Sequence, residues 1–238
     1  MVVATIDILN GVFSIIFVVI STIAGLIIAS KYFKSKIKTL LYIGIAWILI
    51  VCPWWPSSAS VLSALITGKG LSLETYLLLG NLFVPVFIFF LVAAFTEIYY
   101  NDKQKLALGI FGIIGVIVEI YFLYFLIVDP SVHGELQGVV DIEFRGFLRI
   151  YLIFSILVVC VLGILIAINS IKSDTPEIKL RGKFLMAAFI SWTFGAIADA
   201  TIQLTVITLP IIRIILITSA IEFYIGFVLP DWVKKRFL

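Results

Sequence analysis

Seven apolar stretches govern what this chain can fold into. They run over about 8–30, 39–66, 75–99, 106–128, 147–170, 184–207 and 210–229. Each reaches the roughly 20 residues that a helix needs to cross a bilayer. They cannot all be hidden inside a soluble globule. Of the 238 residues, 63% are hydrophobic and 13% charged, whereas a soluble domain holds about 45–50% apolar and about 25% charged residues. The same hydrophobicity excludes disorder. The apolar residues run continuously and do not alternate over ten-residue strands, which argues against a β-barrel. The expectation is an all-α polytopic membrane protein, a seven-transmembrane-helix bundle forming a single domain over 1–238. Spans and short connections consume the chain and leave no room for a soluble catalytic domain.

The connections set a direction. Lys31, Lys34, Lys36 and Lys38 follow span 1, Lys103 and Lys105 follow span 3, and Lys172, Lys179, Arg181 and Lys183 follow span 5. The tail adds Lys234, Lys235 and Arg236, for 13 basic residues on one side. Lys69, Arg145, Arg149 and Arg213 make 4 on the other. By the positive-inside rule the N-terminus lies outside and the C-terminus is cytoplasmic. Basic residues so placed report topology, not nucleic-acid binding. The opening MVVATIDILN carries no Lys or Arg, so it has no signal-peptide n-region, and span 1 is expected to remain as a helix.

The long connection 129–146 is rich in acids and holds the one histidine, His133. It has two readings. One is a cation-binding or pH-sensing lid, and the other is a solvated loop kept outside by its acids. One histidine cannot build a metal site alone. The two cysteines, Cys52 and Cys160, fall inside spans and suit the role of small apolar residues.

Several membrane chemistries lack their residues. The last span has no lysine for a retinal Schiff base, so no cofactor is expected. Zinc-dependent hydrolases and Ser–His proteases need histidines within the membrane. A di-aspartyl site is disfavoured, because Asp199 is deep but Asp7 sits at the edge of span 1. Metal motifs and phosphate loops are absent. The expectation is a protein without enzymatic activity.

Five charged residues remain inside spans, where each costs at least a few kcal/mol unless paired or wet. They are Glu119, Arg149, Asp199, Arg213 and Glu222, with Asn81 and Gln203 as neutral companions. At 1.5 Å per residue, Asp199 lies about 12 Å, Glu119 about 13 Å and Asn81 about 9 Å below the outer ends of their spans. Arg213 and Arg149 lie within about 5 Å. These five cluster in the outer half, which suggests a ligand pocket or a buried polar network. Trp192, Ala196, Asp199 and Gln203 share a helical stripe, as do Gly112, Gly115 and Glu119. The glycines can equally form a helix-packing seam. Asp199 and Arg213, joined by a short turn, are placed to pair. Glu222 is nine residues from Arg213, on the opposite helix face, and suits a contact with Thr193 or with another copy. Pro53 and Pro56 in CysProTrpTrpProSerSer (52–58) predict a kink or unwinding in span 2, and Pro85 predicts a bend in span 3. Trp54 and Trp55 suit either a pocket mouth or an interfacial belt.

The loop 173–185 reads as a helix entry, with Asp174 or Thr175 as cap and Pro176 and Glu177 in the first turn. The ending TyrIleGlyPheValLeuProAspTrpValLysLysArgPheLeu (224–238) resembles the exit of the seven-span sensor region at the N-terminus of microbial histidine kinases. The whole chain resembles uncharacterised seven-span archaeal membrane proteins, through LeuGlyAsnLeuPheValPro (79–85), GluIleTyrPheLeuTyrPhe (119–125), ProGluIleLysLeuArgGlyLysPheLeu (176–185) and the terminal run. The outer clustering of polar groups and the absence of catalytic sets lead to the expectation of a receptor-like or sensor-like protein of the cell membrane with an outward-facing polar pocket. With the chain ending at Leu238, it is expected to lack an output domain of its own. Its expected partners are the lipid bilayer, a small or lipidic ligand from outside, a cytoplasmic partner at the basic loops, and a second copy. A transporter or channel is one alternative and a structural oligomeric membrane protein is another.

Overall fold

The computed structural model describes residues 4–238. Seven helical segments in it are long and apolar enough to cross a membrane. Span 1 is α1 (Thr5–Ser35). Span 2 is α2 (Lys38–Leu49) and α3 (Trp55–Thr67), and span 3 is α4 (Leu73–Asn81) and α5 (Val84–Tyr99). Spans 4 to 7 are α6 (Gln104–Val128), α7 (Gly146–Ile171), α8 (Pro176–Thr201) and α9 (Thr208–Val228). The short α10 (Asp231–Phe237) follows.

The prolines break spans 2 and 3, as their chemistry requires. A proline lacks the N–H of a helical bond and its ring crowds the preceding turn. In span 2 the helix stops at Leu49, passes through a 3₁₀ turn over Cys52–Trp54 that contains Pro53, and restarts with Pro56 in the first turn of α3. In span 3 the break falls at Leu82 and Phe83, and Pro85 opens α5.

Span 6 differs from the expected 184–207. It begins at Pro176, because the ThrProGlu sequence starts the helix there, and its basic first turns are helical. It ends at Thr201 because the following residues close a turn of their own. Thr205 Oγ1 accepts from the backbone N–H groups of Ile207 (3.3 Å) and Thr208 (3.1 Å), and Thr208 Oγ1 accepts from the Thr205 N–H (2.8 Å).

Six spans close a ring. Span 1 packs on spans 2 and 7, span 2 on span 3, span 3 on span 5, span 5 on span 6 and span 6 on span 7. Span 4 lies outside the ring, packed mainly on span 3. Between α1 and α2 the backbones meet closely, since a Cβ on Gly44 would lie 2.6 Å from the Gly25 carbonyl oxygen. Aromatic rings fill the centre. Trp47 stacks on Phe223 with centroids 3.4 Å apart, and Phe189 meets Phe223 edge-on.

The connection 129–146 is an antiparallel hairpin, β1 (Gly134–Gln137) and β2 (Asp141–Phe144). Its tip, residues 138–140, enters the bundle. Gly138 takes a left-handed φ of 74°, and Val139 and Val140 are buried against Val61 and Ala64. The hairpin therefore corrects the solvated-loop reading. Glu135, Gln137 and Glu143 on its strands face outward, but its tip and base are packed, and Ile142 and Phe144 of β2 lie against Leu77, Phe122, Leu126 and Leu148. At the opposite end, α10 seats Val233 against Leu180, Ile225 and Leu229, and Lys234 pairs with Glu177 (3.1 Å).

Candidate functional site

A polar group lies directly under the hairpin. α9 begins at this end and carries Arg213, whose side chain is 2% exposed. Its Nη1 donates to Asp199 Oδ2 of α8 (3.0 Å), and its Nη2 donates to Asn10 Oδ1 of α1 (2.7 Å). Asp199 Oδ2 also accepts from the Trp54 indole N–H (3.0 Å). Ser14 Oγ donates to Asn10 Oδ1 (3.3 Å), and the guanidinium carbon stands 5.9 Å from the Trp54 ring centre. One arginine thus ties spans 1, 2, 6 and 7 together. The break in span 2 is what turns Trp54 inward.

The group keeps unused capacity. Arg213 Nε and Asp199 Oδ1 are buried and have no hydrogen-bond partner. Buried polar atoms without partners are costly, so an opportunity for further bonding exists there.

Above it, the hairpin tip docks mainly through backbone atoms. Asp7 Oδ1 accepts from the Val139 N–H (3.4 Å). Ser60 Oγ donates to the Val139 carbonyl and accepts from the Leu71 N–H. Tyr76 donates its hydroxyl to the Val140 carbonyl (2.8 Å) and accepts from Ser57 Oγ (2.7 Å). Asp141, at the start of β2, is held above its usual carboxylate range. Burial is the main cause and the nearby Asp199 and Asp7 add to it, while the Ile142 N–H and Arg213 oppose it. The base of the hairpin is pinned by His133, which is fully buried among Tyr121, Phe122 and Phe125. Its Nε2 lies 3.0 Å from the Phe122 carbonyl oxygen. Burial lowers its pKa, and the Phe122 contact only partly offsets this.

Of the residues singled out in the sequence, Asp199 and Arg213 meet as expected. Trp192 is buried two turns along α8 from Asp199, with its indole N–H unpartnered. The others stand apart. Gln203 lies beyond the end of α8 and is exposed, so the stripe stops at Asp199. Arg149 is exposed on α7. Asn81 is buried but donates Nδ2 to its own helix, at Leu77 O (2.8 Å). Glu119 faces a lateral groove between α5 and α6. Glu222 lies near the Ser191 hydroxyl of α8, while its Oε2 and the Thr193 hydroxyl lack partners.

The sequence reading missed Asn10, Ser14, Ser57, Ser60 and Tyr76. A signal for the first two was present, because Asp7, Asn10, Ser14 and Ser21 recur at helical spacing along span 1 and all are buried. Among the described residues no cluster of His, Cys, Asp or Glu has the arrangement of a metal site. Comparison with models of known protein families, with curated proteins and with solved structures finds no match.

Proposed function

We propose that this multi-pass membrane protein is a sensor-like receptor of the cell membrane. In this reading the hairpin end faces outside and the basic end faces the cytoplasm. A small hydrogen-bonding ligand arrives from the hairpin side and completes the Arg213 group. The observation that carries the reading is the junction of Arg213 with Asp199, Asn10 and Trp54. It couples four spans through a few bonds, and such a junction can exchange one arrangement for another. A shift there reaches the far ends of spans 1, 6 and 7, where the basic segments would meet a cytoplasmic partner. Binding rather than catalysis is the proposed activity, with no resident cofactor.

A transport path finds less support. The stacked Trp47 and Phe223 and the edge of Phe189 fill the centre of the ring, and the void beside them is only about 10 Å³.

The test is thermal unfolding of the purified chain in nanodiscs, against a panel of inorganic cations, amino acids, short carboxylates and sugars. A ligand at a hundred times its Kd stabilises by about 2.7 kcal/mol. For a chain of this size that raises the midpoint by roughly 5–10 °C. The expected result is a stabiliser whose effect is lost in Asp199→Asn. A panel with no stabiliser, or one indifferent to Asp199, would overturn the reading.

A further inference from the structure

Glu119 lies nine residues, about 13 Å of helix, from the hairpin end of α6 and outside the Arg213 group. It belongs to α6, the span left outside the ring, and faces a groove of about 450 Å³ between α5 and α6. Phe83, Pro85 and Phe89 form one wall, and Gly112, Gly115 and Glu119 form the other. The groove exists because of local chemistry on both sides. The break before Pro85 displaces the start of α5, and the two glycines remove side chains from the facing helix. A Cβ on Gly115 would come within 3.1 Å of Pro85 Cβ, and one on Gly112 would meet the Phe89 ring at 3.7 Å.

The volume is that of a small-molecule site, typically about 300–1,000 Å³. The lining is apolar apart from the carboxyl. Glu119 Oε1 is buried and has no partner. Hydrocarbon tails cannot supply one, and a polar group left unsatisfied in lipid is costly. A second copy docked by the same face offers no donor except its own Glu119, and that only when the carboxyl is protonated. Beside Glu119 on that face stand Gly112, Gly115 and Val116, none of which carries a side-chain donor.

We propose that the groove between α5 and α6 binds a bilayer-dissolved lipophile bearing a hydroxyl group, which donates to the Glu119 carboxyl while its hydrocarbon body lies over Gly112 and Gly115. The hydroxyl serves as donor to a carboxyl oxygen, a role that the methyl ether of the same lipophile cannot fill. Entry is sideways from the membrane, at the depth of Glu119, and needs no movement of the hairpin. The site is independent of the sensor reading, so either can fail without the other.

The probe is a diazirine-bearing C20 isoprenoid alcohol, photolysed with the full chain in nanodiscs. Its methyl ether, a matched primary amine and the unlabelled alcohol serve as comparators. The expected result is saturable labelling of peptides covering 82–89 and 111–119, displaced by the unlabelled alcohol. The ether should bind about tenfold more weakly, as should the alcohol to Glu119→Leu, by the strength of a hydrogen bond in lipid. Gly112→Leu should block labelling by filling the groove. If that variant misfolds, Glu119→Leu and the ether carry the test. Equal labelling by alcohol and ether would overturn the proposal. So would labelling unaffected by Glu119→Leu, labelling confined to other helices, preference for the amine over the alcohol, or a dimer cross-linked through α6 that excludes the probe.

Discussion

Arg213 is the side chain on which the hairpin end depends. A guanidinium has five N–H donors in a fixed fork and stays charged, so burying it demands acceptors from several directions. Asp199 and Asn10 supply two of them, and the Trp54 face supplies a cation–π contact. The attraction of a buried pair is largely offset by desolvation, but removing one partner leaves a charge stranded, at about 3–5 kcal/mol. Asp199→Ala should therefore lower the unfolding midpoint in detergent substantially and alter the emission of Trp54, whose indole N–H loses its acceptor. The double variant Asp199→Leu with Arg213→Met should recover most of the stability, since no charge is left unpaired. A single variant as stable as the parent would mean that the arginine finds another acceptor. The pairing itself could be read from the sequence, because a short turn brings an acid and a base to the same depth on consecutive helices. Asn10 could not be singled out in the same way. It carries no charge, and nothing in the hydropathy of span 1 says which neighbour its polar stripe meets.

At the scale of the element, the hairpin is held at both ends by different chemistry. Its tip is fixed by backbone bonds to Ser60, Tyr76 and Asp7. Its base is fixed by His133. The strand-bridging ion pairs of Arg145 with Glu135 and Glu143 are exposed and add little. Burial was not legible in this segment, because its charges suggest a solvated loop. Only four of its residues, His133, Gly134, Val139 and Val140, are buried. The titration of His133 makes a prediction. Its folded pKa lies below the ordinary 6.5, so the fold favours the neutral ring. That stabilisation is present above about pH 6.5 and is lost as pH falls toward the depressed value. Asp141 acts in the opposite sense. Its folded pKa is raised above 3.8, so its contribution is greatest at low pH and disappears as pH rises through the raised value. Acidification from about pH 7.5 to below the depressed pKa should protonate His133 and loosen the hairpin. A nitroxide at Gln137→Cys should report increased mobility over that range, and His133→Gln should flatten the response. A mobility independent of pH in the parent would sink the assignment.

The whole molecule combines features that sequence makes plain with one that it hides. Seven spans and the breaks at Pro53, Pro56 and Pro85 follow from length, hydropathy and the geometry of proline. The exclusion of span 4 from the ring does not. In a membrane both the lipid-facing and the protein-facing sides of a helix are apolar, so periodicity says little about which side packs. Glycines on α6 signal close approach, and Gly115 does approach Pro85 closely, but beside that contact Gly112 and Gly115 also line a groove. The two ends of the bundle are unlike in charge, and this permits a direct test of orientation. Of the 17 Lys and Arg residues, 13 lie in the last turns of span 1, in the connections and tail that follow spans 1, 3, 5 and 7, and in the first turns of spans 2, 4 and 6. Such residues resist translocation when they sit in short loops near span ends. The hairpin, with Asp129, Glu135, Asp141 and Glu143, has no such bar. In a background with Cys52→Ala and Cys160→Ala, a cysteine at the exposed Glu135 should react with a membrane-impermeant maleimide on intact cells. One at the exposed Lys235 should react only after permeabilisation. Equal labelling of both would mean that two orientations coexist. The reverse pattern would place the hairpin in the cytoplasm and turn the proposed route of the small ligand to the other side of the membrane, while the lateral groove at Glu119 would remain reachable from the bilayer.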